Sequence, residues 1–563
     1  MKLNPQGSKL LQGAFILSAA AIVSKLIGTL QKIPLQNLGG DAVFGIYNTV
    51  YPLYTMLVTV AMLGLPPAIS KFVAEASAGG DEAEGRRVLR LSAILTAISG
   101  LVIGVLTYAG APVIARWVGN SHVIPALHTS AWGLAVVPLM AAMRGYFQGL
   151  HNMVPTAVSQ VVEQSVRVIV MIALLLYLTR NGADAASIAA GALLGSAGGG
   201  AAGLLVMLLF WRRHRHKVSA LLPEAASELS AAAAETAAGR QSGFSAAAGG
   251  RRHKGIQARQ LLTYGLPVML GALAVPLVGL VDVFTVPRLL SSSYSEAASM
   301  AQFGIYNRGL PLVQIVTMLA TSLSVVFIPA LAEAKYRGDE GLVRTRCSLS
   351  LRWFWLLGLA ASVGLAVLAE PINVALYGDA AGSSTMIWLA FTAAGGTVSI
   401  ISAALLQGLG AVRAPALHLL AAAMLKAALN LLLVPQQGIT GAAIASVATH
   451  LFAAALNVLL LHRQGYLRLR FADALVKPAL LLAGLGLAAA AVSSGAGFAA
   501  AAAGFGGGRT ASLAQSLLGV LAGCAVFAAG AVALRLLSES ELRQLPGFGP
   551  KLADKLKKLR LFP

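Results

Sequence analysis

The sequence predicts an all-α polytopic membrane protein of about fourteen transmembrane helices, arranged as two repeated six-helix lobes followed by two C-terminal helices. Three observations carry that prediction. First, of 563 residues 57% are hydrophobic and only 11% charged, with a mean hydropathy of +0.76, which excludes an ordinary soluble globular protein. Second, the apolar runs are about 20 residues long, the length an α-helix needs to cross roughly 30 Å of hydrocarbon, and the ~10-residue alternating segments of a β-barrel are absent. Third, one stretch is written twice. Phe44, Gly45, Ile46, Tyr47 and Asn48 return as Phe303, Gly304, Ile305, Tyr306 and Asn307. Downstream, Pro52 and Leu53 match Pro311 and Leu312, Glu75 and Ala76 match Glu333 and Ala334, and Gly80, Asp81 and Glu82 match Gly338, Asp339 and Glu340. Gln148, Gly149 and Leu150 match Gln407, Gly408 and Leu409. A period of about 258 residues is far too long for a solenoid and fits a duplicated half-transporter.

Taken in order, helices are expected near 11–30, 44–65, 88–110, 122–143, 156–178 and 186–211 in the first lobe, residues 1–211. A basic, flexible linker is expected over 212–259, then a second lobe over 260–462 with helices near 260–287, 304–332, 350–372, 384–407, 415–435 and 440–462. Two extra helices near 475–494 and 511–536 fill 463–536, and a basic tail takes 537–563. The first apolar run is full length and ends in Lys32 and Pro34, so it reads as the first span and not as a cleavable signal.

Charge sets the expected orientation. The net charge is +21, and with both termini cytoplasmic only Lys32, Arg116, Arg180, Arg288 and Arg509 fall in the opposite loops. The positive-inside rule favours that arrangement, and the basic excess then reads as a topology signal with attraction to anionic headgroups. Nucleic acid is not an expected partner. Two cysteines, Cys347 and Cys524, give no disulfide framework, and no metal site is expected.

Charges inside the spans are the candidate functional residues. Lys25 sits within the first span, where it either snorkels to the interface or faces a wet cavity between the lobes. Glu163 and Arg167, four residues apart on one helix face, are a structural ion pair or an ion-coupling site. Asp282, Arg308 and Lys426 lie in the second lobe, with Asp282 and Arg308 at a depth where they could pair. Helix seven, carrying Pro267, Pro276 and Pro287, is the most interrupted.

The tail from Ser538 includes Pro546, Gly547, Gly549 and lysines that resemble half of a DNA-binding hairpin; a basic amphipathic helix on the inner leaflet is the preferred reading. Gly-Lys never occurs, so no Walker A loop is present, and neither HExxH nor GxSxG is found. An enzyme is not expected.

The repeat, the spans, the opening from Lys9 to Asn37 and the stretch from Leu63 to Asp81 together resemble the multidrug/oligosaccharidyl-lipid/polysaccharide exporter superfamily. The likeness is to its stage V sporulation protein B and polysaccharide biosynthesis branch, which includes lipid II flippases. That resemblance implies two lobes rocking about a central cavity in a bacterial cell membrane, during growth or sporulation. Ser24, Lys25 and Gly28 fall on a first-helix pattern of the flippases with Lys in place of Arg, and a second basic position is Gln31 here. The implied function is movement of a lipid-linked cell-envelope glycan precursor, such as lipid II, from inner to outer leaflet. Lys25, Arg308 and Lys426 are the expected diphosphate contacts; Asp282, Glu163 and Arg167 are the expected coupling or structural pairs. No cofactor is expected, with membrane potential as the drive and Na+ or H+ coupling as the alternative. Two other functions stay open: a cation-coupled multidrug antiporter, and a non-transporting scaffold for envelope or spore-cortex synthesis.

Overall fold

A computed structural model describes residues 5–237, 256–467, 471–502 and 508–534, with single positions at 504, 536, 554, 555 and 557. The first lobe comprises α1 (Pro5–Leu30), α2 (Lys32–Ala61), α3 (Leu65–Ala78), α4 (Glu82–Val118), α5 (Ile124–Gly149), α6 (Val154–Arg180) and α7 (Ala185–Ala237). The second comprises α8 (Ala258–Leu290), α9 (Glu296–Asn307), α10 (Leu310–Tyr336), α11 (Glu340–Val367), α12 (Ala369–Tyr377), α13 (Ser383–Ala390), α14 (Thr392–Gly408), α15 (Arg413–Gln437) and α16 (Ile439–Arg463). The pair outside the repeat is α17 (Phe471–Ala502) and α18 (Arg509–Ala533), which pack on each other.

Among the described residues, twelve helical stretches are long and apolar enough to cross a membrane, or thirteen with the bent α8. The first of them, Phe15–Ala78, has 64 residues. At 1.5 Å per residue it measures about 96 Å, roughly three hydrocarbon thicknesses, which is room for both α1 and α2 as separate crossings. We call the end of the bundle where α1 finishes and α2 starts the far end, and the other the near end.

The repeat has a structural cause at each copy. Gly80 and Gly338 take left-handed φ values of 72° and 71°, which glycine adopts without a Cβ penalty. The next residues, Asp81 and Asp339, then cap α4 and α11 by accepting from the amides of Glu84 (2.8 Å) and Leu342 (2.9 Å). The two FGIYN copies lie on α2 and α9 and cross one another. A Cβ on Gly45 would run into the Met300 carbonyl oxygen, and one on Gly304 into the Asp41 carbonyl oxygen. The lobes therefore meet at the far end, backbone to backbone, along the relation that the repeat itself defines.

Several boundaries differ from those expected. Helix two starts at Lys32 and turns at Gly40, whose φ is 80°, so that 32–39 forms a short helix ahead of the span. The segment 212–237, expected within the flexible linker, continues α7 as helix; it is rich in alanine, the strongest helix former. The rest of that linker up to 255, and the tail apart from 554, 555 and 557, lie outside the described residues. Helix α8 bends by 52° between Ala258–Leu273 and Pro276–Leu290, where Pro276 removes a ladder hydrogen bond. Its near half leans on the first lobe, with Tyr264 against Phe72 and under the Lys71 ammonium, while its far half packs on α15.

Candidate functional site

Three polar clusters stand out in this apolar bundle. The first lies in the first lobe among α2, α5 and α6. Glu163 bridges two guanidinium groups, accepting from Arg144 at 2.9 Å and from Arg167 at 2.7 Å. Arg144 also donates to the Ser159 hydroxyl at 2.8 Å, and Arg167 to the Tyr51 hydroxyl at 3.0 Å. These side chains are held by a glycine seam on α7: a Cβ would sit 2.6 Å from the Arg167 carbonyl oxygen at Gly195 and 2.5 Å from that of Glu163 at Gly199. Glycine at four-residue spacing lets α7 close onto α6, which fixes where Glu163 and Arg167 stand. The cluster opens into a cavity of ≈ 200 Å³ whose polar lining is Tyr51, Tyr54, Thr55, Arg144, Glu163 and Arg167.

The second cluster is in the second lobe. Asp282 of α8 is 7% exposed and accepts three hydrogen bonds: from Lys426 at 2.7 Å, Asn430 at 3.1 Å and the Tyr306 hydroxyl at 2.8 Å. Tyr306 also meets the Ser446 hydroxyl at 2.8 Å. The carboxylate is thus fully partnered, as a buried charge must be. The offset that carries Gln148 onto Gln407 also carries Arg167 onto Lys426 and Tyr47 onto Tyr306, so both lobes place a cation at one position of corresponding helices, α6 and α15.

The third cluster joins the lobes at the far end. Arg308, at the break between α9 and α10, is 1% exposed. It donates to both oxygens of Asp41 in the first lobe (2.9 and 2.6 Å) and to both oxygens of Asp379 in the α12–α13 loop (2.6 and 3.2 Å). Its guanidinium stands 5.3 Å over the Tyr377 ring, whose hydroxyl donates back to the Arg308 carbonyl. The Arg308 hydrogen bond holds the Asp379 carboxyl below its usual range. Around this centre Asn37 donates to the Leu376 carbonyl at 2.8 Å, Arg509 to the Asn37 side chain at 2.8 Å, and Asn120 to the Glu296 carbonyl at 2.7 Å.

A family model described as polysaccharide biosynthesis protein matches residues 10–335, more than half of the chain. The chain belongs to that family. The chain is 29% identical over 546 residues to the uncharacterized membrane protein YabM of Bacillus subtilis, covering 96% of each. It is 25% identical over 454 residues to the lipid II flippase MurJ of Bacillus subtilis (78% of this chain, 80% of that one) and 25% identical over 455 to stage V sporulation protein B of the same organism, at the same coverage. Among solved structures it is similar to an inward-facing multidrug resistance MATE family transporter of the MOP superfamily (TM-score 0.58, 14% identity, 78% of this chain and 94% of that one). It is also similar to lipid II flippase MurJ in an inward closed conformation (TM-score 0.56, 14% identity, 92% and 99%). The polysaccharide biosynthesis branch expected from the sequence is the one found, the fold is shared with these transporters, and the curated relative named for an activity is a flippase, not an enzyme. The chain is a multi-pass bacterial membrane protein.

Of the candidate residues in this family member, the structure brings together Glu163 with Arg167, and Asp282 with Lys426. The pairing considered between Asp282 and Arg308 is not made. Asp282 faces α15, where Lys426 takes it, while Arg308 sits at the helix break and turns to the lobe boundary. Lys25 is exposed, on a helix that packs on α6. Its neighbours Ser24 and Gly28 face inward instead, Gly28 against Gln164. Sequence reasoning missed Arg144, Asp41 and Asp379, because the expected helix boundaries left all three in loops. The repeat offset was the available signal for the Arg167 and Lys426 equivalence.

Proposed function

We propose that the protein moves a lipid-linked glycan precursor of the cell envelope, an undecaprenyl-diphosphate sugar such as lipid II, from the inner to the outer leaflet by alternating access. One observation carries this reading: the two repeated lobes meet at the far end through Gly45, Gly304 and the Arg308 to Asp41 pair, a contact that rocking of one lobe against the other would break. The basic loops favour placing both termini in the cytoplasm, which makes the far end the outer face and this conformation closed to the outside. The names of the relatives MurJ and stage V sporulation protein B support the substrate class.

The charges fit an anionic cargo. Of the cations expected to contact the diphosphate, Lys25 is exposed and available to a lipid-borne anion. Arg308 and Lys426 are held by carboxylates in this conformation, so we assign them to closing the outer face and bracing the second lobe. With the inside negative, outward movement of each negative charge is favoured by about 2.3 kcal/mol per 100 mV, enough to make membrane potential the drive. A cation antiporter calls for a cavity dominated by carboxylates, whereas the first-lobe cavity has two arginines against one glutamate.

The test is complementation. The chain is expressed in bacteria whose own lipid II flippase can be shut off, and lipid II on the outer surface is assayed. Restored exposure, lost again in Lys25→Ala, is expected. No rescue by protein that is confirmed in the membrane would refute lipid II as the cargo.

A further inference from the structure

We propose that the first-lobe cavity bounded by Arg144, Glu163 and Arg167 is a binding site for a phosphate or diphosphate group. The inference rests on the flippase reading for the source of that group, and on the cavity alone for its charge.

The charge balance leaves the site one cation in excess. Glu163 shares its two oxygens between Arg144 and Arg167, so one carboxylate faces two guanidinium groups. A purely structural arrangement would neutralise its charges or hydrogen-bond every donor, because an uncompensated buried charge is costly. Here two buried groups are left over. Arg167 Nε and the Tyr54 hydroxyl have no hydrogen-bond partner among the described residues, although Arg167 is 8% exposed and Tyr54 3%. Both residues line the same ≈ 200 Å³ cavity, which has room for several waters or one phosphoryl group.

The geometry also suits an anion. Arg167 commits one N–H of each terminal nitrogen, to Glu163 and to Tyr51, which leaves Nε and the second N–H of each terminal nitrogen to donate. Arg144 comes from α5 and Tyr54 from α2, so the donors reach the cavity from different helices. A phosphoryl group in the cavity would balance the excess charge, and a small shift of Arg167 and Tyr54, whose Nε and hydroxyl are closed to solvent in this conformation, would bring both leftover donors onto its oxygens. Glu163 then competes with the ligand for the two guanidinium groups, which sets affinity at a level that permits release.

The test uses the purified full chain in nanodiscs of neutral phosphatidylcholine, titrated calorimetrically with inorganic pyrophosphate and with farnesyl diphosphate. Saturable binding is expected. Arg167→Gln should weaken it about tenfold or more, the loss of a charge-assisted hydrogen bond. Tyr54→Phe should weaken it several-fold, and Glu163→Gln should tighten it several-fold by removing the competing carboxylate at nearly constant size. Should Arg167→Gln fail to fold, the near-isosteric Tyr54→Phe and Glu163→Gln decide. Tighter binding of farnesyl diphosphate than of pyrophosphate would identify a lipid-borne ligand, and equal binding a free one; both support the site. Absence of saturable binding to the wild-type chain, or weaker binding in Glu163→Gln, would overturn it. Diphosphate binding without lipid II exposure in cells would uphold this site and refute lipid II as the cargo.

Discussion

Arg308 and Asp41 sit in different repeats and are joined by two hydrogen bonds, of 2.9 and 2.6 Å, at a point where Arg308 is 1% exposed. A planar guanidinium matched to a carboxylate in this way is the strong form of an ion pair. Removing one partner of a buried pair costs about 3 to 5 kcal/mol, because the other charge is left uncompensated. Here Asp379 still holds Arg308, so the cost of losing Asp41 falls on the contact between lobes and not on the second lobe itself.

Asp41→Asn should therefore loosen the far end while leaving the protein folded. Cysteines introduced at Asn37 and Leu376, which are hydrogen-bonded across the boundary, should cross-link efficiently in the otherwise native chain and several-fold less in Asp41→Asn. Unchanged cross-linking would show that Arg308 and Asp41 do not hold the closure.

The glycine crossing makes a separate prediction. At Gly45 and Gly304 the atoms in the way of a Cβ are backbone carbonyls, which cannot rotate aside. Gly45→Ala and Gly304→Ala should each cost about 1 to 3 kcal/mol and reduce the same cross-link. Gly364, inside α11 with open space around it, is the control: Gly364→Ala should be neutral or stabilising by up to about 1 kcal/mol. Equal effects at all three glycines would mean that helix propensity, and not the crossing, is being read.

The sequence made the crossing visible only as a repeat. FGIYN declared that two segments were related, but not that they touch, since a duplication is equally compatible with copies on opposite sides of the molecule. The helical class, the lobes and the pairing of Glu163 with Arg167 follow from local rules: hydropathy, span length and four-residue spacing. Asp41, Arg144 and Asp379 were invisible for a different reason. Each lies within a few residues of an apolar run, and whether such a charge is solvated or buried depends on packing partners far away in sequence, such as Arg308 for Asp41 and Glu163 for Arg144. Even the reading of Asp282 beside Arg308 failed on direction, because depth along the membrane does not tell which way a side chain faces around its helix.

Acid should loosen the hold of Asp379 on Arg308 at the far end in a defined direction. The carboxyl of Asp379 is held below its ordinary range by its hydrogen bonds to Arg308. Its contribution is therefore fully present above the ordinary carboxylate value and is lost as pH falls through the depressed one. The groups facing Arg308 are Asp41, Asp379 and Tyr377, with no histidine among them, so the far-end cross-link, taken as a ratio to a cysteine pair within one lobe to cancel the loss of thiolate in acid, should be flat from neutral pH down to mild acid and fall only below it. Asp379→Asn should remove part of that acid response. A transition near neutral pH would show that a group other than these governs the closure.

The buried pair of Lys426 and Asp282 offers the sharpest separation of bracing from coupling. Lys426→Met strands the Asp282 carboxylate, and Asp282→Asn strands the ammonium, so each alone should destabilise by about 3 to 5 kcal/mol. The double replacement removes both charges and keeps the volumes close, so it should recover most of that loss, since a buried ion pair exchanged for neutral groups is often nearly neutral in stability. Thermal unfolding of the four proteins in one detergent measures the cycle. If the pair only braces the second lobe, the double variant should also regain lipid II exposure in the complementation assay. If Asp282 carries a coupling proton or sodium ion, stability should return while transport does not, because no neutral pair can bind and release a cation at that point.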